Sequence, residues 1–273
     1  MTNGTAKLVA LITGASSGMG KDFALRLLRE GYVVYGAARR VERMQDIVEA
    51  GGVALEMDVT DEVSMVSGVE RVLLEQGRLD VLVNNAGYGQ YGAIEDVPID
   101  LARRQMEVNL FGLARLTQLC LPAMRSRQQG RIINISSIGG KVVTPLGGWY
   151  HASKFALEGW SDVLRNEVRS FGIHVVVIEP GGVQSEWSDI ASGEAERFSG
   201  SGPYAKLVAS FRRAQGRLSA PPPSVISDLL VRALKARRPK SRYVGGLFAR
   251  PMLVLRFLLS DRMFDRLIMT AFR

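Results

Sequence analysis

A chain of 273 residues, 47% of them hydrophobic, is long enough to close one substantial core, and it contains no linker, repeat or low-complexity tract that would divide it. One cysteine and two histidines exclude a disulfide framework and any metal centre of familiar ligand spacing. The net charge of +8 is uneven: residues 203–273 hold 15 Lys and Arg against three acids, whereas the first 202 residues hold 20 against 24, and no nucleic-acid module accompanies that basic excess.

The first predicted element is the apolar run Lys7 to Thr13 (KLVALIT), which has the length and composition of a strand buried on both faces. Because that run is needed as a strand, no signal peptide is expected, and the chain is expected to be cytoplasmic. It passes into Gly14-Ala-Ser16-Ser17-Gly18-Met19-Gly20 and then into Lys21 to Glu30. There Phe23, Leu27 and Leu28 repeat at helical spacing before Gly31 supplies a C-terminal cap. A strand, a glycine-rich turn and a helix N-terminus present backbone N–H groups and a favourable dipole to an anion, as a pyrophosphate site requires. The same residues satisfy G-x-S-x-G, the nucleophile elbow of the α/β-hydrolases. That chemistry needs a downstream His, with an acid between them in the chain. His151 lies beside Tyr150 and His174 opens the apolar run Val175 to Ile178, so neither is placed as a triad base.

The second strand, 32–37, leads into Ala38-Arg39-Arg40, with no acid between Glu30 and Glu42. A site for NAD commonly carries an acid about 20 residues past the glycines, to bind the ribose hydroxyls. A guanidinium there suits a 2′-phosphate instead, so NADP(H) is expected, with Arg39 as the first contact and Arg40 as the second. Further apolar runs at 53–57, 79–84, 131–136, 173–179 and 242–246 alternate with helical patterns. They predict one doubly wound α/β domain over 1–273, a seven-stranded parallel sheet with helices on both faces. Cys120, within the helical run Leu116 to Met124, reads as a buried small hydrophobe. Tyr150-His-Ala-Ser-Lys154 places a phenol and an ammonium on one helix face. An ammonium stabilises the phenolate and is expected to lower the pKa of Tyr150, which would suit acid–base work near neutrality.

Thr13-Gly14-x-x-x-Gly18-x-Gly20, Asp58-Val59, Asn84-Asn85-Ala86-Gly87, Asn109, Ser137, Tyr150-x-x-x-Lys154 and Pro180-Gly181 follow one another in the chain. In that order they resemble the short-chain dehydrogenase/reductase family. The resemblance implies a Rossmann-like fold and an NADP(H)-dependent oxidoreductase that interconverts a hydrophobic ketone or aldehyde and its alcohol. It implies that Gly14, Ser16, Ser17, Gly18, Met19 and Gly20 form the cofactor turn and that Asp58 bonds the adenine amino group, with the Val59 backbone nearby. Asn85, Ala86 and Gly87 would line the adenosine side. Pro180, Gly181 and Val183 would close over the nicotinamide, with Ser185 standing where relatives usually have Thr. Tyr150 would act as acid and base, Lys154 would also hold the ribose hydroxyls, and Ser137 would polarise the carbonyl. Ser136, one residue earlier, would face the other way along the strand. Asn109 would anchor a water in the proton relay. Homodimers or homotetramers would form through 99–126 and 150–171. A cofactor-binding regulator with little turnover is the alternative reading.

Residues 184–220 are polar and rich in Gly and Ser, which predicts a mobile lid over the carboxyl edge of the sheet. Trp149, Trp187, Phe198 and Tyr204 are its candidate apolar wall. Residues 248–273 are apolar with Arg at 250, 256, 262 and 266, and are too interrupted to span a bilayer. An interfacial helix at a membrane, a pocket wall and a subunit contact are the three readings of this segment.

Overall fold

The computed structural model describes residues 7–216, 219–270 and 272. All seven apolar runs form strands: β1 (Val9–Thr13), β2 (Val33–Ala38), β3 (Val53–Glu56), β4 (Val81–Asn84), β5 (Gly130–Ile135), β6 (Ile173–Pro180) and β7 (Arg242–Gly245). Helices α1 (Gly18–Arg29), α2 (Gln45–Glu49), α3 (Glu62–Gln76), α4 (Ile99–Met106), α5 (Leu113–Ser126) and α6 (Gly148–Val168) connect the first six. Then come α7 (Trp187–Ser199), α8 (Ala205–Gly216) and α9 (Ser224–Lys235) before β7, and α10 (Ala249–Leu258) and α11 (Asp261–Thr270) after it.

Alternation along each strand divides its side chains between two helical layers. Ala10 and Ile12 of β1, Val83 of β4 and Ile178 of β6 face α1 and α9 through Phe23, Leu27 and Leu230. Leu11, Leu82 and Val175 face α3, α5 and α6 through Val69, Leu116 and Leu164. Both faces are covered, and this is why the strands read as continuous apolar runs rather than as alternating ones. Cys120 is fully buried in the second layer, and burial pushes its thiol pKa up.

The strands pair in parallel in the order β3-β2-β1-β4-β5-β6-β7. The order reverses between β1 and β4, which opens a crevice at their carboxyl ends. The glycine turn, Asn84 to Gly87, Ser137 and Pro180 all leave the sheet at that edge.

Residues 184–220, expected as a mobile lid, contain α7 and α8, because Ala191, Ala195, Val208 and Phe211 lie at helical spacing among the polar residues and bury together; residues 217 and 218 of that stretch lie outside the described residues. A π-helical stretch, Glu107–Gly112, carries Asn109 and joins α4 to α5.

Candidate active site

The turn after β1 is built from glycines that nothing else could replace. Gly14 and Gly18 have φ of +69° and +52°, in the left-handed region. A Cβ on Gly20 would lie 2.2 Å from the Gly14 carbonyl oxygen. Ser17 precedes α1 in extended conformation and makes no side-chain capping bond, so the first N–H groups of α1 are open to an anion. Thr13 and Asn85 hold the turn to β4. The backbone N–H groups of Asn85 and Ala86 each donate to Thr13 Oγ1 at 3.0 Å, and Asn85 Nδ2 donates to the Thr13 carbonyl at 2.9 Å. The Asn85 side chain, expected to line the adenosine side, is therefore spent on the turn itself. A cleft of about 560 Å³ opens beside the turn, lined by Ser16, Ser17, Gly18, Lys21, Arg43 and Glu186 among others. Lys21 and Arg43 were not foreseen, because their relation to the turn is non-local.

Arg39 and Arg40 are both exposed at the end of β2. Arg40 Nη2 reaches within 3.5 Å of Ser16 Oγ, and Arg39 Nη1 lies 4.0 Å from Asp58 Oδ2. Burial would raise the pKa of Asp58, but bonds from the Thr60 N–H and O–H, at 2.9 and 2.8 Å, outweigh it and hold the carboxyl below its usual range. Val59 lends its backbone to packing: a Cβ on Gly112 would lie 2.1 Å from the Val59 carbonyl oxygen.

Tyr150 and Lys154 stand in the first turns of α6, 8% and 7% exposed. Lys154 Nζ donates to the Ile135 carbonyl at 2.9 Å and lies 6.0 Å from the centre of the Tyr150 ring. Asn109 is buried in the π-helical stretch, a local widening that is frequent at functional sites. Its Nδ2 donates to the Tyr88 carbonyl and to Ser153 Oγ, each at 3.0 Å, and its Oδ1 accepts from the Tyr88 N–H at 3.1 Å. Gly87 separates the two groups: a Cβ there would meet Asn109 Oδ1 at 3.1 Å and Lys154 Nζ at 3.8 Å. Ser137 Oγ accepts from the Gly139 N–H at 2.9 Å, donates to the Pro180 carbonyl at 3.4 Å, and lies near enough to the Tyr150 phenol to draw its pKa down. Ser136 turns away into the packing against Gly140, as strand alternation requires.

His151 completes this scaffold without taking part in proton transfer. Its Nδ1 lies 2.9 Å from the Gly139 carbonyl, and its Nε2 lies 3.0 Å from the Thr144 N–H. Only the neutral Nδ1–H tautomer satisfies both, and burial lowers its pKa further. His174 lies near the opposite, amino-terminal end of β6, so the turn serine Ser16 has no triad base.

The protonation states differ from the expectation. Burial pushes Tyr150 up to about 12, with Ser137 pulling only part of the way back. Burial also pushes Lys154 down to about 8, opposed by the carboxylate of Glu158. The ammonium was expected to lower the phenol, but burial raises it instead. Trp187 and Tyr91 lie with ring centres 5.2 and 5.9 Å from Tyr150. Tyr91 stacks on Phe211 at 5.3 Å, and Phe211 stacks on Phe272 at 6.3 Å. Trp187 and Tyr204, two of the candidate wall residues, pack against this aromatic cluster. Trp149 and Phe198 stand outside that cluster, Phe198 beneath the Arg197 guanidinium at 4.9 Å. Tyr91, Phe211 and Phe272 were missed; Tyr91, four residues past Gly87 at the carboxyl edge, is the one that position alone could have suggested.

After β6, the Gly181 N–H donates to the Gly245 carbonyl at 2.7 Å, and Gly182 and Leu247 exchange backbone bonds at 3.1 and 2.9 Å. The turn from Pro180 to Val183 is thereby tied to the end of β7. Ser185 approaches the glycine turn, its Cβ 3.7 Å from where a Cβ on Gly18 would stand. Met19 and Val183 pack on the core beneath. No cluster of His, Cys, Asp and Glu among the described residues could hold a metal ion.

The arrangement is a buried phenol and ammonium beside a glycine-rich turn at a sheet's switch point. Several known proteins are similar to this chain along most of their length. A short-chain dehydrogenase from Streptomyces avermitilis superposes with a TM-score of 0.83 at 34% identity, over 97% of this chain and 96% of that one. The NADPH-dependent 3-dehydrocapnine reductase of Ornithobacterium rhinotracheale is 34% identical over 94% of this chain and 95% of its own. An actinorhodin polyketide ketoreductase solved with NADPH is 33% identical, with a TM-score of 0.70 over 83% of this chain and 89% of that one. Residues 8–194 match the short chain dehydrogenase family, and the chain is a member of it.

Proposed function

We propose that the protein is an NADP(H)-dependent oxidoreductase that interconverts a hydrophobic ketone or aldehyde and its alcohol, with Tyr150 as acid and base. The observation that carries this reading is the convergence of buried Tyr150, Lys154 and Asn109 with half-buried Ser137 beside a turn whose helix N-terminus is uncapped. Gly14, Ser16, Ser17, Gly18, Met19 and Gly20 would hold the pyrophosphate, since the glycines leave room for its approach to open N–H groups. Asp58, the Val59 backbone, Ala86 and Gly87 would take the adenosine, and Pro180, Gly181, Val183 and Ser185 the nicotinamide end. Arg39 and Arg40 would pair with the 2′-phosphate at the end of β2, which carries no carboxylate of its own, the exposed Arg39 giving up its 4.0 Å contact with Asp58. The two relatives named with NADPH support that choice. When bound, the nicotinamide supplies or accepts the hydride.

The chain's own residues manage the proton. Tyr150, kept neutral by burial, donates its hydroxyl proton to the substrate oxygen as charge develops there, and Ser137 donates a hydrogen bond to the same atom. Lys154 stabilises the tyrosinate left behind. Asn109, shared between Tyr88 and Ser153, anchors the inner end of the proton path. Trp187 and Tyr91 exclude water from the reacting side and make an apolar substrate preferable to a polar one. Exposed Phe111, Phe155 and Val163, within the segments 99–126 and 150–171, support assembly into homodimers or homotetramers through these helices.

The test is NADPH and NADH consumption with ketones of increasing apolar length, on wild type and Arg39→Ala. NADPH should be preferred, with kcat/KM rising with apolar length. Arg39→Ala should weaken NADPH binding about 10–100-fold and leave NADH nearly unchanged. Equal losses with both cofactors would remove Arg39 from phosphate recognition. NADPH binding without turnover in either direction would favour a cofactor-binding regulator.

The pH dependence follows from the two buried groups. Reduction needs both the Tyr150 phenol and the Lys154 ammonium, which are both protonated below about 8. Its rate should be level at lower pH and fall about tenfold per unit above pH 8 as Lys154 loses its proton. Oxidation needs the tyrosinate beside the Lys154 ammonium, so its rate should rise with pH up to about 8 and then level, because above 8 the gain in tyrosinate is cancelled by the loss of ammonium. Initial rates in both directions over about pH 6–10 check this, and parallel profiles would contradict it.

A further inference from the structure

Among the described residues, seven of the 18 exposed large hydrophobics fall between Phe248 and Met269, so water-facing apolar surface is concentrated on α10 and α11. On α10, Val254, Phe257 and Leu258 are 55, 88 and 68% exposed at i, i+3 and i+4, which makes one continuous apolar strip. Met252, Leu253 and Leu255 on the other side of the helix are half-buried. On α11, the buried Phe264 and the half-buried Ile268 hold the helix down, and Met263 and Leu267 form a second strip facing water.

Cations border these strips. Arg250 shares the exposed face of α10, and Arg262 and Arg266 each precede Met263 and Leu267 by one residue, forming a parallel row on α11. Arg256 is engaged within the pair, over the Phe264 ring at 5.6 Å and bonded to Asp261 at 2.7 Å. The whole segment belongs to the basic C-terminal quarter, while the rest of the chain is net acidic. Each helix has ten residues, about 15 Å of length, and no helix among the described residues is long and apolar enough to cross a membrane.

We propose that α10 and α11 seat the protein flat on an anionic lipid bilayer, with the strips at the acyl boundary and Arg250, Arg262 and Arg266 at the phosphates. Apolar area and headgroup charge then act together, as an interfacial helix requires. A second copy of the chain fits less well: a two-fold contact through the same strips would bring the two arginine rows together, whereas lipid phosphates neutralise them. Phe272, just beyond α11, stacks on Phe211, so this surface is joined directly to the aromatic cover over Tyr150.

Co-sedimentation of the full chain with two vesicle preparations tests the proposal: phosphatidylcholine alone, and phosphatidylcholine with roughly one-third phosphatidylserine. The protein should pellet with the anionic vesicles and be released as salt rises. Arg262→Gln with Arg266→Gln should lower the partition coefficient about 10–30-fold. Phe257→Ser with Leu258→Ser should lower it comparably. Both double variants should melt with the wild type, which shows that the fold is intact. No binding to anionic vesicles would overturn the proposal. So would a change of solution mass in Phe257→Ser/Leu258→Ser without a change in lipid binding, since the strip would then be a subunit contact.

Discussion

Tyr150→Phe should lower kcat for ketone reduction about 10²–10⁴-fold and leave NADPH affinity and melting temperature close to those of the wild type. The hydroxyl is the only group removed, and within the protein its polar neighbour is Ser137. The ring keeps its packing against Trp187 and Tyr91, so the site does not collapse or open. Loss of one buried hydrogen bond costs about 1 kcal/mol and is partly offset by the easier burial of a phenyl ring. The effect therefore separates proton transfer from binding and folding. Single-turnover reduction, cofactor titration and thermal melting on the same preparation measure all three. Wild-type turnover in the variant would take Tyr150 out of the mechanism, and parallel loss of cofactor binding would make it a positioning residue.

Gly20→Ala acts on the opposite side of the site and through sterics alone. The new methyl group would lie 2.2 Å from the Gly14 carbonyl oxygen and 2.4 Å from Asn85 Nδ2. Relief requires the Gly14 peptide to rotate out of its left-handed conformation or Asn85 to leave the Thr13 carbonyl. Either movement loosens the tie between β1 and β4 at the carboxyl edge, where the pyrophosphate would bind. Such overpacking costs about 1–3 kcal/mol, and each kcal/mol lowers Tm by about 2–4 °C in a chain of this size. NADPH affinity should fall more than about tenfold, because the N–H groups of the turn lose their alignment. Gly159→Ala is the matched control: it lies within α6 with nothing within 4 Å of the added Cβ, and should gain about 0.5–1 kcal/mol. Equal melting temperatures for the two variants would mean that the turn is not close-packed.

Much of this architecture was legible in the order of residues, because the signals concerned are local. A parallel strand covered on both faces must be apolar throughout, so each of the seven runs announced itself within a few residues, as Val175 to Ile178 does. The turn from Gly14 to Gly20 and the pair Tyr150 and Lys154 are likewise defined by spacings of a few residues, which backbone geometry converts directly into a cradle and a shared helix face. What tertiary structure decided was everything that depends on distant parts of the chain. The helices of residues 184–220 were hidden by Gly and Ser, and only packing of Ala191, Ala195, Val208 and Phe211 against Tyr91 and Tyr150 stabilises them. The π-helical stretch around Asn109 exists because Gly112 must admit the Val59 carbonyl and Asn109 must meet Tyr88 and Ser153, contacts made across 21 to 53 residues. The protonation of Tyr150 and Lys154 was set in the same way. Their spacing alone predicted a lowered phenol, but desolvation by Trp187 and Tyr91, brought from elsewhere in the chain, raises it to about 12. The sequence by itself determined which chemical groups are present and which lie on a common element, because those relations span one or two turns of backbone. The tertiary structure decided how deeply they are buried and what covers them, because solvent exclusion is a property of the assembled fold.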